Sequence, residues 1–201
     1  IVETPNDFGR MGAAPSHPEL LDWLATEFVR QGWSVKAMHR LILNSSTYQQ
    51  ASNVTGVINQ KADPQNQLLW KMPVQRLEGE IIRDSILAVS GTLDLRAGGP
   101  GIYPEVDPGL IEGSPKENVR FLYQRWPVTT DGPGLWRRSI YVTQMRTVTA
   151  PLMDLFDPPD VVSSCPKRNT TTVAPQALQL LNNKFVVGQS ERFAERLRRE
   201  V

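Results

Sequence analysis

Cysteine and histidine are scarce in this chain. One cysteine, Cys165, in 201 residues excludes an internal disulfide. With only two histidines beside it, the chain has too few soft ligands for a structural zinc site. An excess of one charge is also missing: 22 Lys+Arg against 21 Asp+Glu leave a net charge of +1, so no bulk field recruits nucleic acid or an anionic membrane surface. No apolar run approaches the ~20 residues that a membrane span needs. The opening "IVETPNDFGR" carries no signal-peptide pattern and no initiator Met. We therefore expect an excised fragment of a larger protein.

What is present is an ordinary globular composition, 40% apolar and 21% charged. A chain of this length can bury a sizeable core without staples, and we expect a single domain over residues 1–201. Helical signals dominate. In "SHPELLDWLATEFVRQ" (16–31), Ser16 and Glu19 fit a capping box, and Leu20, Leu21, Leu24 and Phe28 share a stripe that Gly32 closes. Ser34 opens a second helix with Val35, Met38 and Ile42 inward. "NSSTYQQASNVTG" predicts a loop, and Pro64 a short helix through Trp70. A helix over about 74–90 presents Leu77, Ile81, Ile82, Ile86 and Val89 and ends at Gly91.

Residues 91–150 form a long excursion rich in proline and glycine, and its aromatics Tyr103, Phe121, Tyr123, Trp126 and Trp136 predict a packed segment. "SIYVTQM" (139–145) has the composition of a strand. A short helix in "TAPLMDLF" and two more at 173–183 and 184–200 complete a mainly α fold of five to six helices, with at most a small β element.

Chemistry-bearing residues gather late in the chain. Cys165 has Lys167 and Arg168 nearby to favour a thiolate, but the two imidazoles lie more than 120 residues upstream, so a small, semi-buried structural side chain is the better reading. The helix start after Thr170 could cradle an anion with Lys167 and Arg168; plain capping, with Thr172 as N-cap, explains it as well. Asp154, Asp157 and Asp160 are spaced like hard-cation ligands but lack the glycine bend and further oxygens. We expect Asp157 or Asp160 to pair with Arg138, Arg146 or Arg168 in a partly buried network. Glu78, Glu80 and Asp84, with Arg76 and Arg83 beside them, predict a solvated charged face. Trp126 and Trp136 are candidates for stacking on sugar rings; Trp23, Trp33 and Trp70 are expected in packing roles.

The stretches "TPNDFG", "SHPELLDWLATEFVRQGWSVKAMHRLILNSSTYQQAS", "RLEGEIIRDSILAVSGTLD", "GGPGIYP", "RRSIYVTQMRT" and "FDPPDVVSSCPKRNTTTVAPQALQLLNNKFV" resemble an uncharacterised C-terminal domain of large planctomycete-type exported proteins. In those proteins the domain follows a cytochrome c-like segment. The resemblance implies a periplasmic, secreted or cell-surface multidomain parent with a c-type haem elsewhere; the C-x-x-C-H attachment pattern is absent from these residues, so no cofactor is expected in the fragment itself. It also implies that the N-terminal part, upstream of "TPNDFG", has been cut away from this fragment of a multidomain protein, and it implies no activity.

The residues assemble no nucleophile–base pair, metal set or phosphate loop. The reading is a non-catalytic interaction module that docks other domains of the parent and contacts polysaccharide. The alternative is a hydrolase for acidic or sulfated glycans, with a site near Asp157, Arg146 and the Cys165–Thr172 segment.

Overall fold

The computed structural model describes residues 1–7, 10–54, 56–106, 126, 128–129, 132–145 and 150–200. Phe121, Tyr123 and Arg146 lie outside them. Seven α-helices are described: α1 (Pro18–Arg30), α2 (Val35–Leu43), α3 (Val57–Ala62), α4 (Gly79–Ser90), α5 (Pro151–Asp154), α6 (Ala174–Asn182) and α7 (Lys184–Glu200). Two 3-10 turns, Pro133–Trp136 and Ser139–Tyr141, lie between α4 and α5. Among the described residues there is no strand or sheet, only two isolated parallel bridges, Asp94 with Arg137 and Ile102 with Val142. The chain is mainly helical, as its periodicities predict. It divides into two compact units, Ile1–Gln75 and Arg76–Val201.

In the first unit the turn chemistry differs from the expected one. The Ser16–Glu19 capping box does not form: Ser16 Oγ is turned to the Ile1 carbonyl (3.2 Å) and to His17 Nδ1 (2.9 Å). The cap residue is His17, with Pro18 in the first turn, where the absent N–H costs nothing. At the other end Gly32 (φ 68°) and Trp33 (φ 62°) are both left-handed. This reversal lets the Trp33 N–H reach the Phe28 carbonyl at 2.9 Å and sets the two rings edge to face at 5.3 Å. Ser34 then caps α2, accepting from the Ala37 N–H at 3.2 Å, as predicted.

The helix expected from Pro64 to Trp70 is absent. The Asp63 carboxylate accepts from the N–H groups of Gln67 (2.9 Å) and Leu68 (2.7 Å), and its carbonyl accepts from Trp70 Nε1 (3.0 Å). These local bonds compete with a helical ladder and hold a run of turns instead. The short helix lies just upstream, at α3.

The second unit is organised around α4. Its predicted inward stripe is corrected: Leu77, Ile81 and Val89 are exposed, Ile81 at 46%, and the buried line runs through Gly79, Arg83, Leu87 and Ser90. The helix also begins five residues later than expected, with Glu78 as its cap residue. Gly79 is where α4 approaches α5: a Cβ there would meet Phe156 Cβ at 3.1 Å and the Met153 Cα at 3.3 Å. Gly91 ends the helix at φ 76°, as predicted, and Arg196 of α7 donates to the terminal carbonyl of Val89 at 3.1 Å. Buried Gln189 of α7 accepts from Ser90 Oγ (2.7 Å) and Thr92 Oγ1 (2.8 Å), locking the two helices together at that end.

Ile102, Val142, Ala150 and Met153 form the apolar cluster, with Tyr141 packed against it. "SIYVTQM" is therefore one 3-10 turn followed by isolated bridge positions at Val142 and Met145, not a strand. Its composition suits extension, but the backbone turn is held by Asp84, whose carboxylate accepts the Ser139 N–H at 2.7 Å.

Candidate functional site

The irregular segment is tied to the helices by arginines. Arg137, itself buried, donates to the carbonyls of Pro100 (2.6 Å), Arg96 (3.4 Å) and Gly98, and its guanidinium lies over the Tyr141 ring. Tyr141 Oη accepts the Gly98 N–H at 2.7 Å. The "GGPG" turn thus wraps one guanidinium, which satisfies carbonyls that have no ladder to join. Arg83, 5% exposed, plays the same part from α4: it donates to the carbonyls of Arg137 (2.8 Å) and Leu135 (3.1 Å) and to Ser139 Oγ (3.3 Å). The carboxylate within ion-pair range of it among the described residues is Asp84, 3.9 Å away. Burial pushes the Arg83 guanidinium down to about 10, against a weaker opposing pull from Asp84.

The predicted acid–arginine network exists in kind, with other partners. Asp157, at φ 52°, accepts from Arg76 Nη2 (2.5 Å), the Thr171 N–H (2.8 Å) and Thr171 Oγ1 (2.9 Å). Arg76 also donates from Nε to the Thr171 carbonyl at 2.8 Å and lies over the Phe156 ring. The Thr171 backbone bond is the largest of the influences that hold the Asp157 carboxyl below its ordinary value; the Thr171 hydroxyl and Arg76 add to it. Arg168 turns to α4, donating to Glu80 at 2.8 and 2.6 Å and meeting Glu78 at 3.1 Å. Arg138 is 3.5 Å from Asp84. The expected solvated face of α4 is thus corrected: Glu80 and Asp84 anchor Arg168, Arg138 and the Ser139 turn. Burial of Arg83 and the roles of Arg76 and Glu80 have no local sequence signal, because each partner lies more than 50 residues away.

Asp160 is engaged locally, accepting from the Val162 N–H (2.9 Å) and Ser163 Oγ (3.1 Å). Asp154, Asp157 and Asp160 do not converge, and no group of three or more metal-ligating side chains occurs among the described residues. Cys165 is exposed rather than semi-buried, with its thiol 3.4 Å from the Lys167 carbonyl. It lines an open hollow of about 310 Å3 with Asp157, Asp160 and Arg168.

Thr172 is not the N-cap of α6. The cap residue is Val173, whose N–H donates to Gln176 Oε1 at 3.3 Å, half of a capping box without a hydroxyl. Gln176 is buried and also donates to the carbonyls of Leu155 (2.8 Å) and Thr171 (3.1 Å), so it ties α6 to the Asp157 turn.

The two candidate sugar-stacking tryptophans separate. Trp126 is 4% exposed, donates from Nε1 to the Pro104 carbonyl (2.9 Å) and packs edge to face on Tyr103, so it offers no face to a ligand. Trp136 is half-buried, sits 6.1 Å from the Phe185 ring, and lines a cavity of about 290 Å3.

These features define a class: a mainly helical protein in whose second unit irregular segments are fastened to helices by guanidinium groups, with Glu80, Asp84 and Asp157 drawn into that fastening and Asp160 engaged locally. A family model described as "Protein of unknown function (DUF1553)" matches residues 1–201, and the chain belongs to that family. No curated protein and no solved structure matches it.

Proposed function

We propose that this chain is a non-catalytic interaction module of an exported, multidomain parent that carries a c-type haem in another segment. It docks other domains of that parent and contacts polysaccharide. The exported and haem-bearing context rests on the motif resemblance described above.

The observation that carries the docking reading is the first unit's surface. None of its described apolar side chains is buried, and Leu20, Trp23, Leu24, Leu41, Ile42 and Leu69 line an open groove of about 970 Å3. An open groove lined by apolar side chains is the kind of surface at which a partner docks. The hydrolase alternative needs a carboxyl with a raised pKa or a free base. Asp157 and Glu80 are instead hydrogen-bonded, and their carboxyls lie below the ordinary range.

The test mixes the chain with the separately produced remainder of its parent and reads complex formation by calorimetry and size exclusion. Wild type forms the complex; Trp23→Glu and Ile42→Glu lose it with unchanged unfolding midpoints. A wild-type chain that forms no complex overturns the docking reading. A glycan-cleaving activity abolished by Asp157→Asn in a folded variant overturns the non-catalytic one.

A further inference from the structure

The cavity beside Trp136 lies apart from the ion pairs of Asp157 and Glu80. Two buried polar side chains line it: Gln189, engaged with Ser90 and Thr92, and Arg83, which is more than nine-tenths buried. Three of its N–H groups are used on Arg137, Leu135 and Ser139, while Nε–H makes no hydrogen bond among the described residues. Its counter-charge is Asp84 at 3.9 Å, which it shares with Arg138 at 3.5 Å, and its guanidinium lies over the Phe185 ring, 5.5 Å from the centroid.

Two further cations, Lys184 and Arg192, line the same cavity, and neither meets a carboxylate among the described residues. Arg192 lies over the Trp136 ring, 5.3 Å from its centroid. The aromatic wall is Trp136 with Phe185. The indole N–H of Trp136 makes no hydrogen bond among the described residues. Glu105 and Asn183 also line it; Asn183 Oδ1 already accepts the Phe185 N–H at 2.9 Å and has a second lone pair.

An under-neutralised buried guanidinium calls for an anion. An aromatic wall with acceptors beside it calls for a ring with an apolar face and hydroxyls at its edge. A volume of about 290 Å3 holds one such ring. We propose that this cavity binds a single acidic sugar, a hexuronate, with its carboxylate toward Arg192, Lys184 and Arg83, its ring against Trp136 and Phe185, and its hydroxyls donating to Glu105 and Asn183. The inference rests on the polysaccharide-contact reading and gives it a ligand class and a place.

The test follows the Trp136 indole N–H resonance, assigned with Trp136→Phe, while glucuronate, glucose and inorganic sulfate are titrated into the intact chain. Glucuronate moves the resonance saturably, and glucose and sulfate bind at least about tenfold more weakly, the loss expected when a charge-assisted hydrogen bond or the ring contact is removed. Arg192→Gln with Lys184→Gln weakens glucuronate by about tenfold or more while leaving the unfolding midpoint in place, since both side chains are exposed. Sulfate binding as well as glucuronate reduces the cavity to a plain anion site, and glucose binding as well removes the acidic specificity; either overturns the proposal. So does a Trp136 resonance that glucuronate leaves unmoved. Retention on immobilised polygalacturonate separates the two levels: wild-type chain retained equally with the double variant means that polysaccharide is contacted elsewhere, and wild-type chain not retained on it or on neutral polysaccharide removes the contact altogether.

Discussion

The two units of this chain solve the burial problem differently. Residues 76–201 close over Leu87, Met153, Phe156, Ile102 and Val142, all buried, whereas in residues 1–75 the buried positions among the described residues are Glu27 and Asp63. Each of those two acids is buried for a local reason. Arg30 (2.7 and 2.6 Å) and Gln31 bind Glu27, and the Asp63 carboxylate gathers a turn. The first unit is therefore shaped by local hydrogen bonds and keeps its apolar stripe open. The second is shaped by contacts between residues far apart in sequence, with Arg83 at their crossing. Apolar helices alone do not produce a closed core; something must bring their faces together, and in the second unit guanidinium groups and Gln189 do so.

The comparison breaks most sharply at Arg83. Arg83→Met leaves the Leu135 and Arg137 carbonyls without their donor and should cost about 3–5 kcal/mol, the scale for removing one member of a buried charged network; urea denaturation reads it. A loss below about 1 kcal/mol, the scale of an exposed ion pair, would mean that the second unit closes without this residue. Leu87→Ala, at 0% exposure, should cost about 2–5 kcal/mol. Its counterpart Leu24→Ala, only half-buried in the first unit, should cost less than half as much in the isolated chain. Equal losses would erase the distinction between the units. Gly91→Ala forces an L residue into the left-handed region beside Arg196 and should cost about 1–2 kcal/mol. At the small end, Trp23→Ser, at 51% exposure, should change stability by no more than about 0.5 kcal/mol.

A last difference is read from pH. Hydrogen bonds from Arg30 and Gln31 hold the Glu27 carboxyl down to about 2, from an ordinary 4.5, and Arg96 holds Asp94 down to about 2, from 3.8. A carboxyl depressed in the folded state contributes stability that is fully present above its unfolded value and is lost as pH falls through the folded one. Stability should thus decline from about pH 4.5 toward pH 2. Glu27→Gln should flatten that slope in the first unit, and Asp94→Asn in the second, each followed as the urea midpoint at successive pH values. A slope unchanged in both variants would place the acid sensitivity elsewhere.

Much of the helical skeleton is legible in the residues. Ser34 caps α2, Gly91 ends α4, and α6 and α7 occupy 174–182 and 184–200, within a residue or so of the periodicity. Capping and 3.6-residue spacing are local effects, and local effects survive folding. The α4 stripe is the instructive failure. Hydrophobicity alone turns Ile81 inward, but the segment that packs on this helix brings backbone carbonyls, and a carbonyl-rich neighbour prefers an arginine. The candidate site divides in the same way. That acids and arginines would pair around the Asp157 turn follows from their abundance there and the stiffness of "DPPD". That Asp157 would choose Arg76, and Arg168 would choose Glu80, depends on which helix lies alongside.

The sequence by itself determined a helical, nearly neutral chain with one thiol and too few soft ligands for a structural zinc site, because composition and short-range spacing act before any chain reversal. Only the tertiary structure decided which face of α4 is inside, which arginine is buried, and which of two tryptophans still borders open space. Those outcomes depend on distances between residues dozens of positions apart, and such distances are set by packing rather than by any one segment.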